Sequence, residues 1–359
     1  MAGGKRLGLA ILIVAICGNG FAATTAAGAT ETGPRGVVVN PRTNMIYAIT
    51  AAEDTVMAIH GGTGAVTAIK VEHGPKAVAV NPVTNRAYVI NEHSGSMSVI
   101  DGVSNQVTAT VDVGPLPSVI ALNPVTNKIY VARSFGNGFI TVVDGATNMA
   151  TRVKVGVEAN AIAVNPRTNK IYLVGYEDHS VTVLDGATNT SSKLPAGTHL
   201  WEIAVDPENN RIYLPNSGDQ KVEVIDGDQH STTVAAGSFP CAVAVDPATE
   251  RAYVLNYGSD TVTVMNTATN TVTATIETGK RPQAIAVNEK TNRIYVANTH
   301  SDNVTVIDGK THSVLAVVAA GKGPYSVAIN PVTNKIYVAN RLSRTVTVID
   351  GATNEAGEI

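Results

Sequence analysis

The chain has 359 residues, a formal net charge of -3, two cysteines and one tryptophan. This mild acidity argues against a nucleic-acid partner held by bulk electrostatics. The length alone would suit two domains, but an internal repeat of fixed period overrides that expectation and predicts one repeat domain.

The first 23 residues do not fit the repeat and predict a secretory signal peptide. Lys5 and Arg6 precede an apolar run at 7–17, and small residues lead to an exit near Ala22 or Ala23. The run is shorter than the roughly 20 residues that a membrane-spanning helix needs. We therefore expect an exported protein that is periplasmic, at the cell surface or secreted.

The expected domains are the signal peptide at 1–23 and a single mature domain at 24–359, with no membrane span. Removing Lys5 and Arg6 changes the formal charge from -3 to -3 - 2 = -5. Only Cys241 would remain of the two cysteines, so the mature chain is expected to have no intrachain disulfide.

The repeat is clearest at 324–351, PYSVAINPVTNKIYVANRLSRTVTVIDG. It predicts strands at Ser326–Asn330, Lys335–Asn340 and Thr345–Asp350, with a hairpin turn at 330–334. Its tyrosine recurs every 40–42 residues, at Tyr47, Tyr88, Tyr130, Tyr172, Tyr213, Tyr253, Tyr295 and Tyr337. Eight copies of the unit are therefore present.

Each complete copy has four runs of alternating, β-branched residues and none with helical spacing. In the sixth copy these are Ala242–Asp246, Arg251–Asn256, Thr261–Asn266 and Thr271–Glu277. Four strands per unit of this length predict an all-β fold, a β-propeller of eight four-stranded blades. A propeller of seven blades with an extra repeat is the alternative.

The two ends of the chain suggest how the ring closes. The last copy stops soon after its third strand, and the segment 25–33 (TAAGATETG) resembles the fourth strand at 271–279 (TVTATIETG). We therefore expect an N-terminal strand to complete the last blade, because closure removes the open ends of the sheet array.

The first strand of each copy pairs a bulky residue with a small one. The bulky residue is Val or Ile in all eight copies, and the next residue is alanine in seven, for example Ala121 and Ala328. A face of alanines suits the narrow inner end of a wedge-shaped blade, and leucines there should overpack it.

These motifs carry a family resemblance. The Ile-Tyr-Val-Ala-Asn strands at 294–298 and 336–340, the Asn-Pro-x-Thr-Asn turn and the Thr-Val-Thr-Val-Ile-Asp-Gly run resemble the YVTN β-propeller repeat over residues 34–351. The resemblance implies a propeller of secreted, periplasmic or surface-layer-like proteins. Members commonly form seven blades, and the eight repeats here favour eight. The repeated residues are scaffold and imply little about activity.

Function is therefore expected where the copies differ. The residue after the proline that opens the first strand differs in every copy, and we call these eight residues the channel-mouth ring: Arg35, Lys76, Ser118, Asn160, Trp201, Cys241, Gln283 and Tyr325. Polar, basic and aromatic groups around a concavity predict a ligand-binding or peptide-binding site. Sequence drift at exposed loops is the alternative explanation.

The fourth and fifth copies depart most from the pattern. Glu202 stands where the other copies have a small residue, and with Asn160 and His199 it is a candidate set of divalent-cation ligands. The alternative is an ion pair of Glu202 with Lys76 or Arg35. HExxH, CxxC and GxSxG motifs and a phosphate-binding glycine loop are all absent from the sequence.

The sequence favours a non-enzymatic, exported scaffold that presents its channel-mouth face to a small ligand, a glycan or an envelope protein. No cofactor is expected, a divalent cation being the exception, and the expected state is a monomer. The alternative is a metal-assisted enzyme resembling propeller lactonases and lyases. A purely structural envelope component is the third hypothesis.

Overall fold

The computed structural model describes residues 15–16, 33–134 and 138–359. Strand β1 (Ala15–Ile16) lies within the predicted signal peptide, and the later strands form eight antiparallel sheets in chain order. The blades comprise β2–β5 (Gly36–Asn40, Met45–Thr50, Thr55–His60, Val66–Lys70), β6–β9 (Pro75–Asn81, Arg86–Asn91, Ser96–Asp101, Gln106–Asp112), β10–β13 (Val119–Asn123, Lys128–Ala132, Phe139–Asp144, Ala150–Lys154), β14–β17 (Ala161–Asn165, Lys170–Val174, Ser180–Asp185, Ser191–Pro195), β18–β21 (Ala204–Asp206, Arg211–Asn216, Lys221–Ile225, Ser231–Ala235), β22–β25 (Pro240–Asp246, Arg251–Asn256, Thr261–Asn266, Thr271–Glu277), β26–β29 (Pro282–Asn288, Arg293–Asn298, Asn303–Asp308, Val314–Ala319) and β30–β33 (Pro324–Asn330, Lys335–Asn340, Thr345–Asp350, Ala356–Glu358).

The fold is the predicted eight-bladed propeller, and the seven-blade alternative is wrong. The first strands of neighbouring blades contact one another in cyclic order, and β30 of the last blade contacts β2 of the first. Five of the seven strands predicted in the sixth and eighth copies coincide with the observed strands, and the other two, Ala242–Asp246 and Ser326–Asn330, begin two residues after the start of β22 and β30. In the described residues no helix is long and apolar enough to cross a membrane.

The recurring Asn-Pro-x-Thr-Asn turn joins the blades. Its first asparagine accepts the backbone N–H two residues later, as Asn81 does from Val83 at 2.9 Å, which fixes the turn. The amide nitrogen of the same side chain donates to the last asparagine of the next blade's turn, which has a left-handed backbone. Six junctions share this bond at 2.7–2.9 Å: Asn40–Asn85, Asn81–Asn127, Asn123–Asn169, Asn165–Asn210, Asn288–Asn334 and Asn330–Asn44.

The ring closes by packing between the first and last blades. The bond from Asn330 to Asn44 is the same as at the other junctions. Val37 and Ile46 of the first blade share an apolar cluster with Ala328 and Tyr337 of the last. The junction thus buries apolar surface as the internal junctions do.

The expectation that an N-terminal strand completes the last blade is wrong. The fourth strand of that blade is β33, which pairs with β32 of the same blade. Asp350 accepts the backbone N–H groups of Ala352 and Thr353, as Asp144 does in its blade, so the chain turns back in the same way. Residues 25–32 lie outside the described residues.

We expect deletion of residues 356–359 to lower the free energy of unfolding by about 1–3 kcal/mol, because it removes β33 and two backbone hydrogen bonds between Ile359 and Val346. Glu355→Ala, in the exposed turn before β33, serves as the control. Denaturant unfolding measures the free energy of unfolding of both variants. An unchanged midpoint for the deletion would show that β33 does not complete the blade.

Two further features were not expected from the sequence. β1 pairs antiparallel with β26, which makes that sheet five-stranded. Cys241 is disulfide-bonded, whereas we expected it to stand alone after removal of Cys17 with the signal peptide. Residue 17 lies outside the described residues.

Candidate functional site

The channel-mouth ring residues sit where the chain enters the first strand of each blade. In four blades this residue is the extra residue of a β-bulge: Lys76, Cys241, Gln283 and Tyr325. A bulge bends the strand and redirects one side chain, and bulges are frequent beside binding sites. In these four blades a β-bulge at a fixed point of the repeat therefore positions the variable side chain.

A cavity of about 940 Å³ opens between the second and fifth blades. The first strands in this part of the ring differ in length: β10, β14 and β18 have five, five and three residues, whereas β6 has seven. Half of the channel-mouth ring lines it: Lys76, Ser118, Asn160 and Trp201. Its size lies within the range of small-molecule sites.

The inner strands are less covered on this side of the ring. Ala121 in β10 and Ala163 in β14 are half-buried, whereas Ala286 in β26 and Ala328 in β30 are buried. The predicted alanine face is therefore tightly packed in some blades and partly open in others.

A second set of variable residues completes the cavity, and the sequence analysis missed it. These residues lie four positions after each recurring tyrosine, and we call them the second ring: Ala51, Glu92, Ser134, Tyr176, Ser217, Tyr257, Thr299 and Arg341. Their constant spacing from the tyrosine was the signal that could have found them. Glu92, Ser134 and Tyr176 line the cavity.

Residues of the two rings pair within single blades. The Lys76 ammonium lies 3.1 Å from a Glu92 carboxylate oxygen, with both side chains mostly buried. The Ser134 hydroxyl donates to Ser118 at 2.9 Å. Lys76 thus pairs with Glu92, whereas the sequence analysis suggested Glu202 as its partner.

An aromatic wall bounds the cavity at the fifth blade. The Trp201 indole N–H donates to the Ser217 hydroxyl at 3.0 Å, and that hydroxyl donates to the His199 carbonyl at 3.2 Å. The Tyr176 ring lies 4.5 Å from the Trp201 ring and 4.8 Å from the His199 ring, measured between centroids. These contacts hold both cavity-lining rings in fixed orientations.

The other half of the channel-mouth ring consists of Arg35, Cys241, Gln283 and Tyr325. Cys241, Gln283 and Tyr325 are buried. The guanidinium of Arg341 lies over the Tyr325 ring at 4.8 Å. Burial raises the pKa of the Tyr325 phenol, which the charges of Arg341 and Arg35 oppose. Burial also lowers the pKa of Arg35, whose side chain is half-buried. None of these residues lines the cavity described above.

The candidate metal ligands do not share the cavity. Asn160 lines it, whereas Glu202 and His199 are half-buried outside its lining. The His199 ring nitrogen Nδ1 lies 3.1 Å from the Thr198 hydroxyl. Within the described part of the chain, no cluster of three or more His, Cys, Asp or Glu side chains could hold a metal ion. The set of Glu202, Asn160 and His199 stays a prediction.

Elemental analysis tests that prediction. If these three residues bind a divalent cation, protein dialysed against a chelator and then supplied with Mg²⁺, Ca²⁺ or Zn²⁺ should retain one ion per chain, and Glu202→Ala should lose it. Glu277→Ala, on an outer strand, is the control. The absence of a retained ion from the parent protein would contradict the prediction.

A family model described as a YNCE-like beta-propeller matches residues 226–331, which is less than half of the chain. The match concerns the propeller repeat, and the YVTN-type repeat stays a prediction. No curated protein matches the chain.

Solved structures show the same fold at low identity. A Kuenenia stuttgartiensis hydrazine synthase chain is 20% identical with a TM-score of 0.63, over 92% of this chain and 99% of that one. The dihydro-heme d1 dehydrogenase NirN is 13% identical with a TM-score of 0.76, over 89% and 73%. The computationally designed Ika8 protein is 14% identical with a TM-score of 0.74, over 89% and 97%. This chain is therefore an eight-bladed β-propeller with a segment similar to YNCE-like propellers.

Proposed function

We propose that this chain is an exported, non-enzymatic binding propeller that takes a ligand in the cavity between the second and fifth blades. The observation that supports the proposal is the coincidence of the cavity with the variable residues. Lys76, Ser118, Asn160 and Trp201 differ from blade to blade, yet they line one concave surface together. Scaffold residues, by contrast, repeat around the ring and are explained by folding.

The cavity has the mixed chemistry of a specific binding site. Aromatic rings supply contact area, while Asn160 and the serine pair supply hydrogen-bonding groups that orient a ligand. The other half of the channel-mouth ring does not line this cavity. The proposal thus divides the ring into a binding half and a structural half.

A ligand screen by thermal shift tests this division. A ligand that binds only the folded protein raises its melting temperature. We expect Asn160→Phe, which places a bulky ring in the cavity, to raise the ligand concentration needed for a given shift at least tenfold. Tyr325→Phe, in the structural half, should leave the ligand-induced shift unchanged.

The opposite pattern would contradict the proposal. If ligands bind equally well to Asn160→Phe and more weakly to Tyr325→Phe, the site lies elsewhere in the channel. The melting temperature of each variant without ligand separates a loss of binding from a loss of stability. Export is tested separately, by the mass of the protein recovered from cells and from the medium.

A further inference from the structure

We infer that the ligand class of the cavity is an organic ammonium cation with an apolar or aromatic body. This inference rests on the proposed function and specifies its ligand. It comes from the charges and rings that line the cavity between the second and fifth blades.

The basic and acidic groups of the lining are unequal. Among the described residues of the lining, Lys76 is the one basic side chain, and it forms its ion pair with Glu92. The lining also contains Glu177 and Asp178, both acidic. A cavity of this composition has a negative potential, which attracts cations and repels anions.

Both carboxylates belong to the loop that carries Tyr176 of the aromatic wall. Glu177 and Asp178 directly follow Tyr176 in the loop after β15. A carboxylate oxygen of Asp178 folds back over Gly175, where an added Cβ would lie 2.5 Å from it. The loop thus holds the Asp178 carboxylate against the residue that precedes Tyr176.

The aromatic wall suits the same ligand. The Tyr176 and Trp201 rings pack against each other at 4.5 Å and line the cavity together. The face of an aromatic ring carries partial negative charge and attracts an ammonium group, and tryptophan does so most strongly. Rings and carboxylates in one concavity therefore favour a cation that also has an apolar part.

Trp201 is the single tryptophan of the chain, so its fluorescence reports on this cavity alone. The probes are phenylpropylamine, phenylpropanol and phenylpropanoate, which share one body and carry a positive, a zero and a negative charge at neutral pH. Trp201 emission and calorimetry measure their affinities. We expect the amine to bind at least about tenfold more tightly than the alcohol, and the carboxylate to bind most weakly.

Variants separate the contribution of charge from that of shape. The double variant Glu177→Gln with Asp178→Asn should reduce the advantage of the amine over the alcohol by about tenfold and leave alcohol binding unchanged. Glu277→Gln on β25 removes one negative charge from an outer strand and should change neither affinity. Melting temperatures confirm that the variants are folded.

A peptide arm identifies the source of the ammonium group. Acetyl-Phe-Lys-amide presents a lysine side chain as a partner protein would, whereas phenylpropylamine represents a free amine. Tighter binding of either cation over the alcohol supports the inference, and their ratio tells which source the site prefers.

Two results would overturn the inference. Equal or tighter binding of the alcohol or the carboxylate would exclude a preference for cations, while leaving the cavity as a binding site. An unchanged ratio of amine affinity to alcohol affinity in the double variant would show that Glu177 and Asp178 do not cause the preference for the amine. If none of the four probes changes Trp201 emission or produces heat, both the cation preference and the binding role of the cavity fail.

Discussion

The propeller is expected to unfold cooperatively between pH 10 and pH 12. Burial raises the pKa of five recurring tyrosines from 10 to about 12: Tyr47, Tyr130, Tyr213, Tyr253 and Tyr337. Nearby carboxylates add to the shift for all of these except Tyr337. The neutral phenol is thus favoured in the folded state. The unfolded chain ionises first as the pH rises, so the stability present below pH 10 is lost progressively up to pH 12.

The size of the effect makes unfolding the expected result. Two pKa units correspond to about 2.7 kcal/mol for one tyrosine, and five such groups together reach the upper part of the about 5–15 kcal/mol by which most proteins are stable. Circular dichroism and tyrosinate absorbance should therefore change together. Tyr337→Phe should shift the midpoint to higher pH, and Val332→Ser, on an exposed turn, should not.

A different titration would contradict this account. If tyrosinate absorbance rose with a midpoint near pH 10 while the circular dichroism stayed that of the folded protein, the tyrosines would be accessible in the native state. The buried packing of Tyr337 against the first blade would then be wrong.

Leucine at Ala328 is expected to destabilise the propeller by about 1–3 kcal/mol, because added carbons in a closely packed site force strain. Ala328 is fully buried and packs between the last and first blades. The matched change, Ala121→Leu, should cost less than about 1 kcal/mol, since Ala121 is half-buried beside the shortened inner strands.

The two alanines form a good comparison because their strand contexts are the same. Each pairs across the sheet with the recurring tyrosine of its own blade, Ala328 with Tyr337 and Ala121 with Tyr130. Chemical denaturation of both variants measures the difference. Equal destabilisation would show that the inner strands are packed equally tightly around the whole ring, which would contradict the lower burial of Ala121.

The repeat predicted the fold because its signals are local. The spacing of the tyrosines gave the number of blades, and the Asn-Pro-x-Thr-Asn turn gave the hairpins. The same turn also joins the blades, through bonds such as Asn81 to Asn127. That second role was invisible in the sequence, because it depends on how one blade stacks on the next.

The last blade contains a local cue that predicts its own fourth strand. Gly351-Ala-Thr-Asn354 repeats the turn sequence at 145–148 and 186–189, which leads into a fourth strand in each case. This turn is the stronger cue, because it is identical in all three places, whereas 25–33 only resembles a fourth strand. Three residues after the turn are enough for a short strand, β33.

The candidate site was predicted only in part. The sequence identified the variable residues of the channel-mouth ring, because they differ at a fixed point of each repeat. It did not indicate which of them share a cavity, since that depends on how the blades pack around the channel. The second ring was not predicted, because residues such as Glu92 and Tyr176 lie after the end of the repeated strand that contains the tyrosine.

A crystal structure of the protein with a ligand that raises its melting temperature is the most direct test of the binding site. The account predicts electron density for the ligand between the second and fifth blades, in contact with Asn160 and Trp201 and beside the Lys76–Glu92 ion pair. Density at the opposite mouth of the channel, beside the Asn-Pro-x-Thr-Asn turns, or on an outer strand would contradict it.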